Sequence, residues 1–145
     1  MNYRVDREEA EQAALIYWAK TMEGKIPELK LLHHVPNGGK RDKTTAVRLQ
    51  RMGVKPGVPD LCLPVPRALL CFREDGGKYK KLYAGLYIEM KARGGKKSEN
   101  QEKWLKMLDE QGYYCAVCYS YEAAREIIET YLKMEPFVRE INAEG

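Results

Sequence analysis

Apolar and polar positions alternate along this chain in two distinct rhythms. From Asp6 to Met22 the apolar residues Ala14, Leu15 and Trp18 recur at helical spacing. Asp6 can cap that helix, and Glu8, Glu9 and Glu11 suit its positive N-terminal end. Gly24 and Pro27 break the pattern. A short apolar piece, Leu31 to Val35, leads into a Pro36-Asn37-Gly38-Gly39 turn, and a second helix is predicted over Asp42 to Met52, ended by Gly53. Two prolines and a glycine in Val54 to Pro59 exclude a regular helix there and make a tight, stiff approach to Asp60.

Strand patterns come next. Asp60 to Val65, Ala68 to Arg73 and Leu82 to Lys91 read as strands, with Asp75-Gly76-Gly77 as a hairpin turn. Ser98-Glu99-Asn100-Gln101 has the form of a capping box, opening a helix that buries Trp104, Leu105 and Leu108 and stops at Gly112. Tyr113 to Tyr119 is a further strand. Tyr121 to Leu132 is a last helix, with Ala123, Ala124, Ile127, Ile128, Tyr131 and Leu132 facing the core; Pro136 ends it. The order αα-βββ-α-β-α predicts an α/β domain, one mixed β-sheet flanked by helices, with a parallel crossover from Leu82 to Tyr119. Its 145 residues suit a single domain, with a core at about 6–133 and a C-terminal tail at 134–145, expected to be loose from Glu135.

Composition adds little until charge is mapped. No apolar run approaches a membrane span and the first residues lack a signal-peptide core, so a cytosolic protein with reduced cysteines and no membrane contact is expected. Net charge is only +4, but Lys25 to Lys55 holds eight Lys/Arg against two acids, and Lys91 to Lys97 holds four bases and no acid. From Ser98 onward ten acids face five bases. Two basic segments on a nearly neutral chain are expected of a protein that grips a polyanion, although a solvated surface would look the same.

Three charged residues stand where packing alone would not place them. Asp60 follows the rigid turn and opens an apolar strand; Glu89 and Lys91 lie near the end of another and project from one face. Burying such charges is costly unless they are paired or bind metal. Two carboxylates with spare oxygens suit Mg²⁺ or Mn²⁺, and a lysine alongside can orient water and offset charge on a phosphate. Together they suit phosphodiester hydrolysis. A Glu-x-Lys on a strand is also a common exposed ion pair. Cys62, Cys71, Cys115 and Cys118 lie in apolar strands, where cysteine acts as a small hydrophobe; Cys115 and Cys118 point opposite ways, against a shared metal. His33 and His34 lack a matching ligand cluster and read as turn or DNA-contact residues.

Four blocks in order, HVPNGGKR at 34–41, GVPDLCLPVPR at 57–67, GLYIEMKARGG at 85–95 and SENQEKW at 98–104, resemble the virus-type replication-repair nuclease family (VRR-NUC), a branch of the PD-(D/E)xK nucleases. The helix EEAEQAALIYWA precedes them. The resemblance implies a restriction-endonuclease-like fold and Mg²⁺- or Mn²⁺-dependent DNA cleavage. It places Asp60, Glu89 and the backbone carbonyl of Met90 as metal ligands and Lys91 as the catalytic lysine. It also implies a helix-borne glutamate near the metal. Glu8 fits a Glu-x-x-x-Gln pattern with Gln12, and Glu11, one turn away, is the alternative. Gln101 matches a family glutamine near the site, or simply caps its own helix. Asn37, Gly38, Gly39, Lys40 and Arg41 are expected to contact DNA, with Arg93, Lys96 and Lys97 adding charge. A homodimer cutting four-way junctions is the expected mode, with a phage or bacterial setting. A flap or duplex nuclease, or a non-catalytic DNA-binding module of the same fold, is the alternative.

Overall fold

The computed structural model describes residues 3–36 and 42–137. Helix α1 spans Tyr3–Met22 and leads to a 3-10 turn at Pro27–Leu31 and a two-residue strand β1, His33–His34. Helix α2 is Lys43–Arg51. Strands β2 (Leu61–Leu63), β3 (Arg67–Phe72), β4 (Lys78–Tyr83) and β5 (Leu86–Met90) come after it. Helix α3 (Glu99–Glu110), strand β6 (Tyr114–Cys118), helix α4 (Tyr121–Leu132) and strand β7 (Glu135–Pro136) complete the described chain.

The expected mixed sheet is present, in the order β1-β2-β5-β6. Strands β2 and β5 are antiparallel, while β5 and β6 are parallel, paired from Leu86↔Tyr114 to Met90↔Cys118 across the α3 crossover. The central strands are apolar because both faces are covered. Leu61, Leu63, Leu86, Ile88 and Met90 are buried with Leu15 and Trp18 of α1 and Ala124, Ile128 and Tyr131 of α4. The Tyr131 hydroxyl donates to the Val65 carbonyl at 2.6 Å, and burial pushes its pKa up to about 12. Arg67, also buried, donates from Nε to the Leu132 carbonyl at 3.3 Å and lies 3.6 Å from Glu28.

Several expectations need correction. A second sheet, β4-β3-β7, stands beside the first, so not all the strands share one sheet. The segment read as one strand from Leu82 to Lys91 is broken: Tyr83 ends β4 and Leu86 begins β5. The break falls where Gly85 passes the β2 end so closely that a Cβ would lie 3.1 Å from the Leu63 carbonyl oxygen. Strand β4 carries no sequence signal because its lysines and tyrosines are solvent-facing at most positions; six rungs with β3, not a buried face, hold it. Pro136 does not end α4, which stops at Leu132. Instead it pairs with Arg67 in β7, so the described start of the tail is docked. Helix α1 already runs from Tyr3, which puts Asp6 inside it rather than at the cap. Trp104, Leu105 and Leu108 are only half-buried, because α3 rests on β6 and leaves its other side to solvent. Residues His33 and His34 are neither turn nor loop, since they pair with Cys62 and Leu61.

The starts of α2 and α3 are capped by the residues just before them, Asp42 and Ser98. Ser98 accepts from Gln101 N while the Gln101 side chain accepts from Ser98 N, completing the capping box, and Asp42 accepts from Thr45 N at 2.7 Å. Those bonds hold the Asp42 carboxyl below its usual pKa.

Gly57 is the conformational pivot before the site. Its φ is +90°, and a Cβ there would lie 2.7 Å from the Asn100 carbonyl carbon at the start of α3. A side chain is therefore opposed twice, by backbone conformation and by a neighbouring backbone that cannot rotate away. Gly57→Ala is expected to destabilise the protein by about 1–3 kcal/mol, seen as a lower midpoint in chemical denaturation. An unchanged midpoint would show that the loop and α3 are not locked together.

Candidate active site

The register of β2 against β5, with Leu61 opposite Ile88, extends by one residue to set Asp60 opposite Glu89. Directly opposed residues bring their Cβ atoms to roughly 5 Å. Buried Pro59 anchors the turn, and Val35 N donates to the Asp60 carbonyl at 2.8 Å. The same carbonyl lies 2.7 Å from Nδ1 of His34, and the Gln12 side-chain amide lies 3.0 Å from that nitrogen. The backbone of Asp60 is thus tied to β1, and His34 Nδ1 stands between that carbonyl and Gln12 of α1, able to donate to the first or accept from the second but not both at once. The Asp60 side chain is fixed too: Oδ2 accepts from Met90 N at 2.7 Å.

Glu89 is 2% exposed. Its Oε1 accepts from Gln101 Nε2 at 2.7 Å and lies 3.7 Å from Lys91 Nζ. The other oxygen, Oε2, is buried with no hydrogen-bond partner among the described residues. Burial, and then the charge of Asp60, push Glu89 up to about 8, with Lys91 opposing. Burial raises Asp60 as well, against the pull of the Met90 N–H. Two facing carboxylates, one with an orphan oxygen, are short of positive charge. Without a cation they must share a proton. A hard divalent cation with oxygen ligands fits that deficit. Among the described residues no three His, Cys, Asp or Glu side chains are already gathered, so further ligands must come from a side chain that turns in, such as Glu8, or from a backbone carbonyl, water or substrate.

The two N-terminal glutamates are separated by the rotation of α1. Glu8 faces the site: its Oε1 accepts from Ala92 N at 2.9 Å, and its charge adds to the upward push on Glu89. Glu11 points elsewhere, its Oε2 accepting from Tyr121 N at 2.6 Å at the start of α4. Gln101 performs both roles weighed for it, closing the capping box with its oxygen and holding Glu89 with its nitrogen. Gln12 and His34 stand in resembled segments, Gln12 in the Glu-x-x-x-Gln pattern and His34 at the head of HVPNGGKR. Their place beside the Asp60 carbonyl emerges only where α1 and β1 meet.

These residues line a cleft of ≈ 850 Å³ between α1 and the ends of β2 and β5, shared by Glu8, Gln12, Tyr17, Lys20, His34, Asp60, Glu89 and Gln101. Met90 and Pro36 also line it. Lys91 comes directly after β5, its side chain 11% exposed. Arg93, Lys96 and Lys97 are exposed on the loop between β5 and α3. Asn37, Gly38, Gly39, Lys40 and Arg41 lie outside the described residues. The four cysteines are free; burial raises the thiols of Cys62, Cys115 and Cys118, the latter two to about 11. No described helix is long and apolar enough to cross a membrane.

Comparison with known proteins leads the same way. The family model of the VRR-NUC domain matches residues 6–122, a span that contains every residue of the cleft. A solved structure described as a VRR_NUC domain protein is similar to this chain over 90% of its length and 92% of the other, with 27% identity and a TM-score of 0.69. No curated protein matches.

Proposed function

Because the chain belongs to the VRR-NUC family, and is thereby a nuclease domain, we propose that it is a divalent-metal-dependent endonuclease that cuts branched DNA such as four-way junctions. The observation that carries this reading is the Asp60–Glu89 pair, in which buried Glu89 keeps an orphan oxygen and the two acids have too little positive charge around them. Asp60, Glu89, the Met90 carbonyl and Glu8 would hold Mg²⁺ or Mn²⁺. Such an ion supplies Lewis-acid polarisation of a phosphoryl oxygen and a more acidic water.

The remaining work belongs to the chain. The Lys91 ammonium, 3.7 Å from Glu89 Oε1, donates to water or to a phosphate oxygen as negative charge builds on the phosphate oxygens. Gln101 keeps the Glu89 carboxylate from rotating, and Met90 N–H does the same for Asp60. Both contacts place the oxygens before substrate arrives, so little reorganisation is left for the reaction itself. Arg93, Lys96 and Lys97, exposed on the loop between β5 and α3, would offer phosphate contacts. Asn37, Gly38, Gly39, Lys40 and Arg41 are assigned the same role from the sequence alone.

Each chain carries one such pair, whereas a junction needs two symmetry-related nicks. A two-fold homodimer meets that need. The test is a cleavage panel of duplex, flap, splayed-arm and four-way junction DNA in Mg²⁺ or Mn²⁺, read beside the solution mass. Paired nicks in the junction by a dimer are expected. A monomer nicking flaps would replace the junction reading with that of a flap nuclease. DNA binding without any cut would favour a non-catalytic module.

A further inference from the structure

Helix α2 is the least integrated element of the fold. Among the described residues it has no extended contact with any other helix or strand, and none of its own residues is fully buried. Thr45, Ala46 and Leu49 turn partly inward. Thr44, Val47, Arg48, Arg51 and Met52 form the opposite stripe, at the i, i+3, i+4, i+7, i+8 spacing of one helical face. Val47 is 50% and Met52 71% exposed. The stripe floors a shallow groove of ≈ 540 Å³ lined by those five residues.

Charge decides what such a face can receive. From Lys43 to Pro59 the chain has Lys43, Arg48, Arg51 and Lys55 and no acid. The preceding acid, Asp42, is spent on Thr45 at the helix start. Neither Arg48 nor Arg51 forms an ion pair among the described residues, although acids outnumber bases two to one from Ser98 onward. A second copy of this face would bring arginine against arginine, and an apolar partner would have to desolvate both. A polyanion answers the charge, and the arginines, one turn apart, present planar forks suited to phosphate.

Position supplies the second argument. Pro36 and Asp60 both line the catalytic cleft, so the segment that carries α2 starts and ends at the cleft wall. We propose that the outer face of α2, through Arg48 and Arg51, binds the sugar–phosphate backbone of duplex DNA beside the bond held in the cleft. Val47 and Met52 lie against the sugars. This assignment rests on the nuclease reading and adds a grip that is separate from the cleft and its neighbouring loops.

The experiment measures binding of a labelled DNA duplex in Ca²⁺ across a salt series, for wild type, Arg48→Gln/Arg51→Gln and Lys78→Gln/Lys80→Gln. The last pair removes equal charge from β4, on the other sheet. Each phosphate contact contributes about 0.9 to the slope of log affinity against log salt, so losing two lowers the slope by about 2. Between 50 and 200 mM salt, the advantage of wild type over the arginine variant should then shrink by about tenfold. The β4 variant should keep the wild-type slope. If the two variants behave alike, or the arginine variant matches wild type, the α2 assignment is wrong while DNA binding stands. If wild type shows no salt-dependent DNA binding, the nuclease reading itself falls. A loss of self-association in the arginine variant, with its salt slope unchanged, would make the face a dimer contact instead.

Discussion

Glu89→Gln is expected to cut DNA at least about 10²–10³-fold more slowly than wild type, with its fold intact. The substitution preserves shape and leaves Gln101 an oxygen to bind, while removing the charge that would hold a cation. A glutamine NH₂ in the place of the orphan Oε2 also gains the Asp60 carboxylate as an acceptor. The metal-free variant should therefore unfold at a denaturant concentration no lower than wild type. Asp60→Ala and Lys91→Ala should lose cutting to the same degree for different reasons. The first deletes the acceptor of the Met90 N–H, and the second deletes the cation beside Glu89. Rates are read in single-turnover cleavage and folding in circular dichroism. Near-wild-type rates in any one of the three purified variants would remove that residue from the active site.

Excess EDTA should abolish cutting, and Mg²⁺ or Mn²⁺ should restore it. The same ions should raise the melting temperature, since a ligand that binds only the folded state stabilises it by about 2.7 kcal/mol at a hundredfold excess over Kd. For a domain of this size that is a shift on the order of 5–10 °C. Glu89→Gln and Asp60→Asn should show little of it, because each withdraws a carboxylate from the pair. The thermal shift does not depend on turnover, so it separates an absent metal site from a poor choice of DNA. Undiminished cutting in EDTA would sink the metal mechanism.

The site's centre was legible because it violates packing rules. Asp60 and Glu89 are acids beside apolar strands, and an acid there needs a reason. The α3 start was legible because a capping box is written in four consecutive residues. The hidden features depend on how distant elements meet. Glu8 and Glu11 are equivalent on an isolated helix; only the seating of α1 against β5 and α4 turns one to the cleft and the other to Tyr121. The strands β1, β4 and β7 have few buried side chains, so no hydrophobic alternation announces them. Their partners hold them through backbone pairing, which leaves little trace in the choice of side chains.

The amide of Gln101 has both its ends committed, oxygen to Ser98 N and nitrogen to Glu89 Oε1. Position 101 therefore has a vocabulary of one. Asparagine is a methylene too short to span both partners. Glutamate could still close the cap but would set a third carboxylate against Glu89, and lysine could meet Glu89 but leaves Ser98 N–H unanswered. The first turn of α3 and the attitude of the buried acid are consequently a single event. Fraying of that turn would release Glu89, so the readiness of the cleft tracks the local folding of a helix whose remaining residues never enter it.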